Sequence, residues 1–527
     1  MLGLVRDMAR AWLFGTGMAA DAFTVAFRIP NMLRALFAEG ALSASLVPVL
    51  ADYVEKEDRA AVDRFLRSMA TVLYAALAVT VLLGIALSPV LVPAIVHGFD
   101  SVPGKVELTV RLTQILFPYI LLIGAATLAM AVLTTYRHFT TPALAPAALN
   151  VVLIVATVGI APRVSSDPVR QIHVLAGAVL VGGLLQAAIQ WPALRARGLS
   201  LRPSAGFRHP GVSRVLGLML PGILGISVQE ISVFVDMWFA SALPQGSVAA
   251  LEYGQRVMQL PLGVFGVALG TAVLPTLSRQ ISRGERDQAE DTTAFSIRLA
   301  LLVLLPAGLW LILLAQPILA LLFQRGRFTG GDSLRMTAWA LQYFSIGLVF
   351  YGTAKSLVPL FYAHKDTRTP VRASIAALAV NIGLNVILVR TLGLRGLALS
   401  TALASLVNVT LLAVWARRKL RLDPFRGCAR PVARLGSAAL FSAVVAWAAY
   451  RLFAAVALGG LAGRLLLALG PLALAAAAYA VALERLRAEE WTYLRGIVAE
   501  KLGRSRRSQA RHPAEGDGPR RGPGNPS

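Results

Sequence analysis

Fourteen long apolar blocks restrict this chain more than any motif in it. They fall at about residues 12–27, 30–53, 68–94, 109–135, 142–161, 171–193, 213–242, 248–278, 295–322, 334–362, 370–389, 395–415, 432–456 and 463–484, after a short apolar stretch at residues 1–5. A hydrocarbon core of ~30 Å is crossed by about 20 apolar residues of helix. Backbone groups in lipid must be paired within the segment, so such blocks are helices rather than open sheet. Strand-type alternation is absent, which argues against an outer-membrane barrel. Of 527 residues only 15% are charged, where soluble domains run near a quarter, about 25%. The chain reads as an all-α polytopic membrane protein with about 14 transmembrane helices.

The second half echoes the first. Ala41-Leu42-Ser43-Ala44-Ser45-Leu46-Val47-Pro48 recurs as Ala268-Leu269-Gly270-Thr271-Ala272-Val273-Leu274-Pro275, with the prolines 227 positions apart. Pro142, after Thr140-Thr141, answers to Pro370, after Arg368-Thr369, at an offset of 228. Two echoes at one offset point to a duplicated helix bundle, an arrangement common in transporters whose substrate site lies between the halves. Six crossings per half predict a parallel pseudo-two-fold repeat.

The net charge of +24 invites a nucleic-acid reading, and its distribution argues for topology instead. With even-to-odd connections placed in the cytoplasm, those loops hold 23 Lys and Arg, including Arg417, Arg418, Lys419 and Arg421, against 9 in the opposite loops. Positive charge stays inside, so both termini are expected to be cytoplasmic. Residues 503–527 are basic, rich in Gly and Pro, and unable to bury apolar surface, which predicts a disordered cytoplasmic tail. Its arginines suit anionic membrane lipids. Cys428 is the single cysteine, which excludes an internal disulfide.

Ionisable residues inside spans mark pathways or sites. The first fifty residues carry Arg6, Asp7, Asp21, Arg28, Arg34 and Glu39; the second half adds Glu230, Asp236, Glu252, Arg256 and Lys355. An arginine at mid-membrane costs about 2.5–3.5 kcal/mol even on the lenient insertion scale. Facing a cavity between the halves removes that cost; snorkelling from a helix end does so for Arg28 or Arg34, and an i,i+4 pair with Glu252 does so for Arg256. Several guanidinium groups around a cavity suit phosphate, whose oxygens they bind bidentately. Asn381 and Asn385, one turn apart, with Thr401 and Asp236 offer oxygens for a hard monovalent cation, or else ordinary interhelical hydrogen bonds. The six histidines show no metal-ligand spacing, and there is no phosphate-binding loop or paired acidic motif. A transporter is favoured over an enzyme.

The stretch Phe14-Gly15-x-Gly17-Met18-Ala19-x-Asp21-Ala22-Phe23-x-Val25-Ala26-Phe27-Arg28-x-Pro30-Asn31-x-Leu33-Arg34, continuing into Phe37-Ala38-Glu39-Gly40, closely resembles the lipid II flippases of the MurJ/MviN family. That family lies within the multidrug/oligosaccharidyl-lipid/polysaccharide exporter superfamily. Phe117-Pro118-Tyr119, Pro146-x-x-Leu149-Asn150 and Gly263-Val264-x-Gly266 extend the similarity over about residues 2–485. The resemblance implies an N-lobe at 1–195, a C-lobe at 213–417 and two further helices at 431–486, with a V-shaped cavity between the lobes. It implies movement of undecaprenyl-pyrophosphate disaccharide pentapeptide from the inner to the outer leaflet of the bacterial cytoplasmic membrane for peptidoglycan synthesis, cell-wall biogenesis and cell shape. Other cell-wall synthesis proteins are conceivable partners. By position, the family's cavity arginines fall on Arg6, Arg34 and Arg256, and its acidic cavity residues on Asp7, Asp21 and Glu39. Its sodium ligands fall on Asp236, Asn381, Asn385 and Thr401 with a backbone carbonyl near Leu397; Asn385 stands where some members carry Asp. No other cofactor is implied. Met1 falls inside the family's first helix, so that span is expected to be truncated. A flippase for another polyprenyl-pyrophosphate oligosaccharide, or a drug/cation antiporter of the same superfamily, are the alternatives.

Overall fold

A computed structural model of the chain describes residues 2–36, 41–204, 206–329, 332–456 and 459–496, with helix positions 41, 221–222, 224–226 and 264–272 described by backbone alone. Among the described residues the regular structure is helical throughout. The first half holds α1 (Leu2–Phe14), α2 (Met18–Arg34), α3 (Ala41–Lys56), α4 (Arg59–Ile95), α5 (Lys105–Leu116), α6 (Tyr119–Thr135), α7 (Thr140–Val155), α8 (Ala161–Val164), α9 (Pro168–Ala188) and α10 (Trp191–Arg195). The second holds α11 (Pro210–Ser241), α12 (Ser247–Ser282), α13 (Arg286–Leu313), α14 (Ala315–Phe323), α15 (Ser333–Ile346), α16 (Leu348–Ala363), α17 (Arg368–Leu392) and α18 (Leu394–Trp415). Then α19 (Ala429–Ala455) and α20 (Gly460–Arg485) pair with each other and lie against α13 and α14.

Among the described residues nine helical segments are long and apolar enough to cross a membrane, and α15 with α16 makes a tenth if its 43° bend is taken as one span. Their outward faces are apolar, as lipid requires: Val79, Leu82, Leu83, Leu87 and Val90 are exposed along α4, and Leu440, Phe441, Val444 and Trp447 along α19.

The first apolar block of the sequence does not survive as one helix. Block 12–27 is cut by a turn at Gly15–Gly17, so its first residues end α1 and the rest belong to α2. Gly15 sits at φ +58°, and a Cβ there would stand 2.9 Å from the Arg327 carbonyl oxygen. Glycine alone tolerates both conditions. Block 30–53 runs from the end of α2 into α3, and residues 37–40 between them lie outside the described residues. Hydropathy does not register a two-glycine turn, which is why block 12–27 ran through it.

Three helix contacts of the first half have counterparts in the second. Helix α2 packs on α5 as α12 packs on α15; α4 packs on α6 as α13 packs on α16; α7 packs on α9 as α17 packs on α18. The starts of α5 and α15, Lys105 and Ser333, are 228 positions apart, as are those of α7 and α17. Polar caps fix where helices begin: Asp58 accepts from the Ala61 amide at 2.7 Å, and His209 Nδ1 from the Gly211 amide at 3.2 Å.

At one end of the bundle the halves interlock. The Thr16 and Ser333 hydroxyls lie 2.7 Å apart, the Gly98 amide donates to Ser241 at 3.3 Å, and Arg327 donates to Gln171 at 3.1 Å. The other end carries the basic connections, where Arg417 pairs with Asp423, Lys419 with Asp366, and Arg426 with Asp287 and Glu290.

Candidate functional site

Helix α1 presents Gly3, Arg6 and Arg10 on one face, at the i, i+3, i+7 spacing that aligns side chains along a helix. That face lines a cavity of about 450 Å³ between the halves, closed over by residues of α2, α6, α7, α11, α12 and α18. Five arginines reach it: Arg6, Arg10, Arg28, Arg34 and Arg256. Toward the C-terminal end of α1, Ala11, Leu13 and Phe14 are buried in the core, which anchors the helix.

Each arginine has its own company. Arg6 donates through Nε and Nη2 to Asp7 Oδ1 at 3.0 and 2.9 Å, and Arg256 Nε approaches Asp7 Oδ2 at 2.9 Å. Asp7 is 1% exposed and sits behind both guanidinium groups without lining the cavity, one oxygen to each. Arg28 pairs with Glu230 of α11 at 3.2 Å. Arg34 donates to Asn31 one turn back at 2.8 Å. Glu252 does not pair with Arg256 one turn on; it approaches Arg10 at 3.1 Å, while Arg256 turns to Asp7.

Asp21 lies away from the cavity lining. Its carboxylate accepts from Lys105 Nζ at 2.8 Å, the Gly246 amide at 2.7 Å and the Ala249 amide at 2.9 Å, so it both pairs a buried lysine and caps the start of α12. Gly246 takes φ +94° to present that amide, and its Cα faces Thr16 too closely to carry a Cβ. Glu39 lies outside the described residues, as does the tail 503–527. Lys355 is exposed and is not part of the lining.

A second constellation forms on the wall of the same cavity. Asn385 Nδ2 donates to Asp236 Oδ1 at 2.9 Å and to Asn381 Oδ1 at 3.2 Å; Thr401 Oγ1 lies 3.3 Å from Asp236 Oδ2 and 3.0 Å from the Leu397 carbonyl. Asp236, Leu397 and Thr401 line the cavity, and Asn381 and Asn385 are buried behind them. One carboxylate among neutral oxygens is a donor set suited to a hard monovalent cation. Asn385 Oδ1 is buried with no hydrogen-bond partner among the described residues, which leaves an oxygen for such an ion to take. Among the described residues no cluster of three His, Cys, Asp or Glu has the makings of a transition-metal site.

Two cavity features escaped the sequence reading. Arg10 is not among the candidate residues named from the sequence, although its i+4 relation to Arg6 puts it on the same face. Glu230 was noted as a charge in a span, but nothing in the sequence matched it to Arg28, 202 positions away.

The model of the lipid II flippase MurJ family matches residues 10–465. The lipid II flippase MurJ of Burkholderia cenocepacia is 38% identical over 452 residues, covering 85% of this chain and 87% of that protein. The probable lipid II flippase MurJ of Vibrio cholerae is 36% identical over 419 residues, covering 78% and 79%. A solved structure described as lipid II flippase MurJ in an inward closed conformation matches with a TM-score of 0.75 at 24% identity, over 91% of this chain and 95% of that one. An inward-facing multidrug resistance transporter of the MATE family, MOP superfamily, matches at 0.63 and 18% identity, over 80% and 95%. These two share its fold.

Proposed function

The chain belongs to the lipid II flippase MurJ family, and from that membership we propose that it carries lipid II across the cytoplasmic membrane by alternating access, delivering the precursor for peptidoglycan synthesis. It is a transporter and not an enzyme. The observation that carries the reading is the meeting of Arg6, Arg28 and Arg34 from the first half with Arg256 from the second on one cavity. A pyrophosphate bears the charge that such a cluster compensates, and guanidinium forks match its oxygens.

In this proposal the molecule has fourteen crossings, with lobes at 1–195 and 213–417 related as parallel repeats and two further helices at 431–486. The three matched helix contacts and the constant offset of helix starts support it. Placing the basic connections in the cytoplasm puts the interlocked end outside and both termini within. Arg6, Arg34 and Arg256 hold the pyrophosphate, with Arg28 nearer the rim. Asp7 orients Arg6 and Arg256, and Asp21 holds the outer end closed through α12. Rocking of the lobes breaks the contacts at one end as it forms them at the other.

Asp236, Asn381, Asn385, Thr401 and the Leu397 carbonyl would hold sodium, whose charge would offset that of Asp236 at the lobe boundary. The polyprenyl tail stays in lipid, and the partners are lipid II and membrane lipids rather than nucleic acid. The test is rescue of a flippase-depleted bacterium, with the leaflet of accumulated lipid II read by an enzyme that reaches only the outer face. Growth without restored outer-leaflet lipid II would refute the proposal.

A further inference from the structure

Arg10 differs from the other cavity arginines in how it is held. Its side chain is 7% exposed, its guanidinium lies 5.0 Å from the Tyr253 ring centroid and 5.9 Å from that of Phe23, and among the described residues it pairs with Glu252 alone. Tyr253 is itself set by its hydroxyl reaching the Gly15 carbonyl at 3.4 Å, beside the interlocked end. Among the described residues Arg10 Nε and Glu252 Oε2 have no hydrogen-bond partner, and the approach of Arg10 Nη2 to Glu252 is not aligned as a hydrogen bond. The pair is close enough to cancel charge, yet each member keeps unused hydrogen-bonding capacity. Buried polar groups left in that condition are costly, and both residues line the cavity.

The surroundings narrow what would satisfy them. Thr24 stands beside Glu252. Phe23, beside Arg10, stacks on Phe27 at 5.8 Å, and Phe27 meets Tyr119 at 5.9 Å, so a run of three rings in the cavity lining leads away from the pair. A phosphate is disfavoured here, because Glu252 opposes a second negative charge at short range. A ligand that both donates and accepts, and that offers a C–H face to aromatic rings, fits on every count. Sugar hydroxyls and an acetamido group are such a ligand.

On the flippase reading above, we infer that Arg10 and Glu252, with Phe23, Phe27, Tyr119 and Thr24, form a second subsite that reads the N-acetylated sugars of the headgroup, separate from the arginines that take its pyrophosphate. Arg10 donates to a hydroxyl or acetamido oxygen, and Glu252 accepts from the neighbouring O–H or N–H. The subsite joins α1 and α2 to α12, so a sugar bound there touches both halves.

The experiment compares two probes on the purified full chain in lipid nanodiscs: undecaprenyl pyrophosphate alone, and undecaprenyl pyrophosphate carrying the disaccharide without its peptide. The unaltered protein is expected to prefer the glycosylated probe by about tenfold or more, the worth of one or two well-placed polar contacts. The double variant Arg10→Gln, Glu252→Gln should lose that preference and keep its affinity for the bare pyrophosphate. The exchanged pair Arg10→Glu, Glu252→Arg retains an ion pair between the halves but moves its donors and acceptors, and should lose the preference too. Preference retained in the Gln variant, equal loss of both probes, or recovery in the exchanged pair would each overturn the subsite. An unaltered protein that binds neither probe would instead refute the flippase reading on which the inference rests.

Discussion

Replacing Asp21 should loosen the interlocked end more than any single cavity substitution does. Its carboxylate is 1% exposed and receives three donors: Lys105, which is 3% exposed itself, and the amides of Gly246 and Ala249 at the head of α12. Asp21→Ala strands a buried ammonium, for which breaking a buried pair costs about 3–5 kcal/mol, and it also removes a helix cap, typically worth ~1 kcal/mol. These overlap, so the estimate stays at about 3–5 kcal/mol rather than their sum. Adding Lys105→Met removes the stranded charge and should return most of the loss, leaving about 1–2 kcal/mol for the uncapped helix. The Lys105 contribution acts within the first half, whereas the cap ties the two halves together. Thermal unfolding should therefore show strong coupling between positions 21 and 105. Opening at this end should follow the cap: a cysteine at Thr16, in a background with Cys428→Ala, should be labelled by an added hydrophilic maleimide roughly tenfold faster or more in both the single and the double variant. Labelling unchanged by Asp21→Ala, or restored to the original rate by Lys105→Met, would show that Asp21 is not a tie between the halves.

Arg34→Ala should abolish complementation while the protein remains in the membrane, and Arg28→Lys should be tolerated because its partner Glu230 accepts a point charge; an active Arg34→Ala measured at matched expression would remove the core of the pyrophosphate proposal. If Asp236, Asn381, Asn385 and Thr401 hold sodium, the melting temperature should be higher in sodium than in potassium, and Asp236→Ala should erase the difference. Equal melting in both salts would leave those residues as helix contacts. His209 caps α11 through an unprotonated Nδ1, and burial, then Arg64, lowers its pKa below the ordinary 6.5. The unfolded chain therefore takes up its proton first, so this contribution is intact above pH 6.5 and shrinks as pH falls below it. His209→Asn, which caps without titrating, should flatten melting temperature against pH over that range; an unchanged slope would exclude His209.

What could be read from the residues was set by spacing within a helix, and what could not was set by which helices meet. Asn381 and Asn385 share a face by their i,i+4 spacing, and that face does meet Asp236 and Thr401. The same i,i+4 spacing carries from Arg6 to Arg10, which share the face that lines the cavity. For Glu252 and Arg256 the rule misleads: i,i+4 neighbours are able to pair, yet each finds a partner on α1. Tertiary contact outbids local spacing there, and no single-chain pattern records it. Asp21 carries the same lesson, since its partners, Lys105, Gly246 and Ala249, lie 84 to 228 positions away.

Arginines lining a cavity between the halves suit an anion that balances their charge. The structure offers carboxylates for that purpose: Asp7 serves Arg6 and Arg256, Glu252 serves Arg10, and Glu230 serves Arg28. This changes what a substrate pyrophosphate does on arrival. On the proposed reading it competes with Asp7, a single carboxylate shared by two guanidinium groups, so its net gain is reduced by the charge-assisted bonds it displaces. A cluster of bare arginines would hold a pyrophosphate too tightly to release it. A cluster with resident counter-ions binds more weakly, and lets the carboxylates reclaim the arginines as the ligand leaves. Because Asp7 and Arg10 lie on α1 while Arg256 and Glu252 lie on α12, the same exchange makes and breaks contacts between the halves. Substrate occupancy and the relative position of the lobes are then linked through shared charges, as a carrier without a chemical energy step requires.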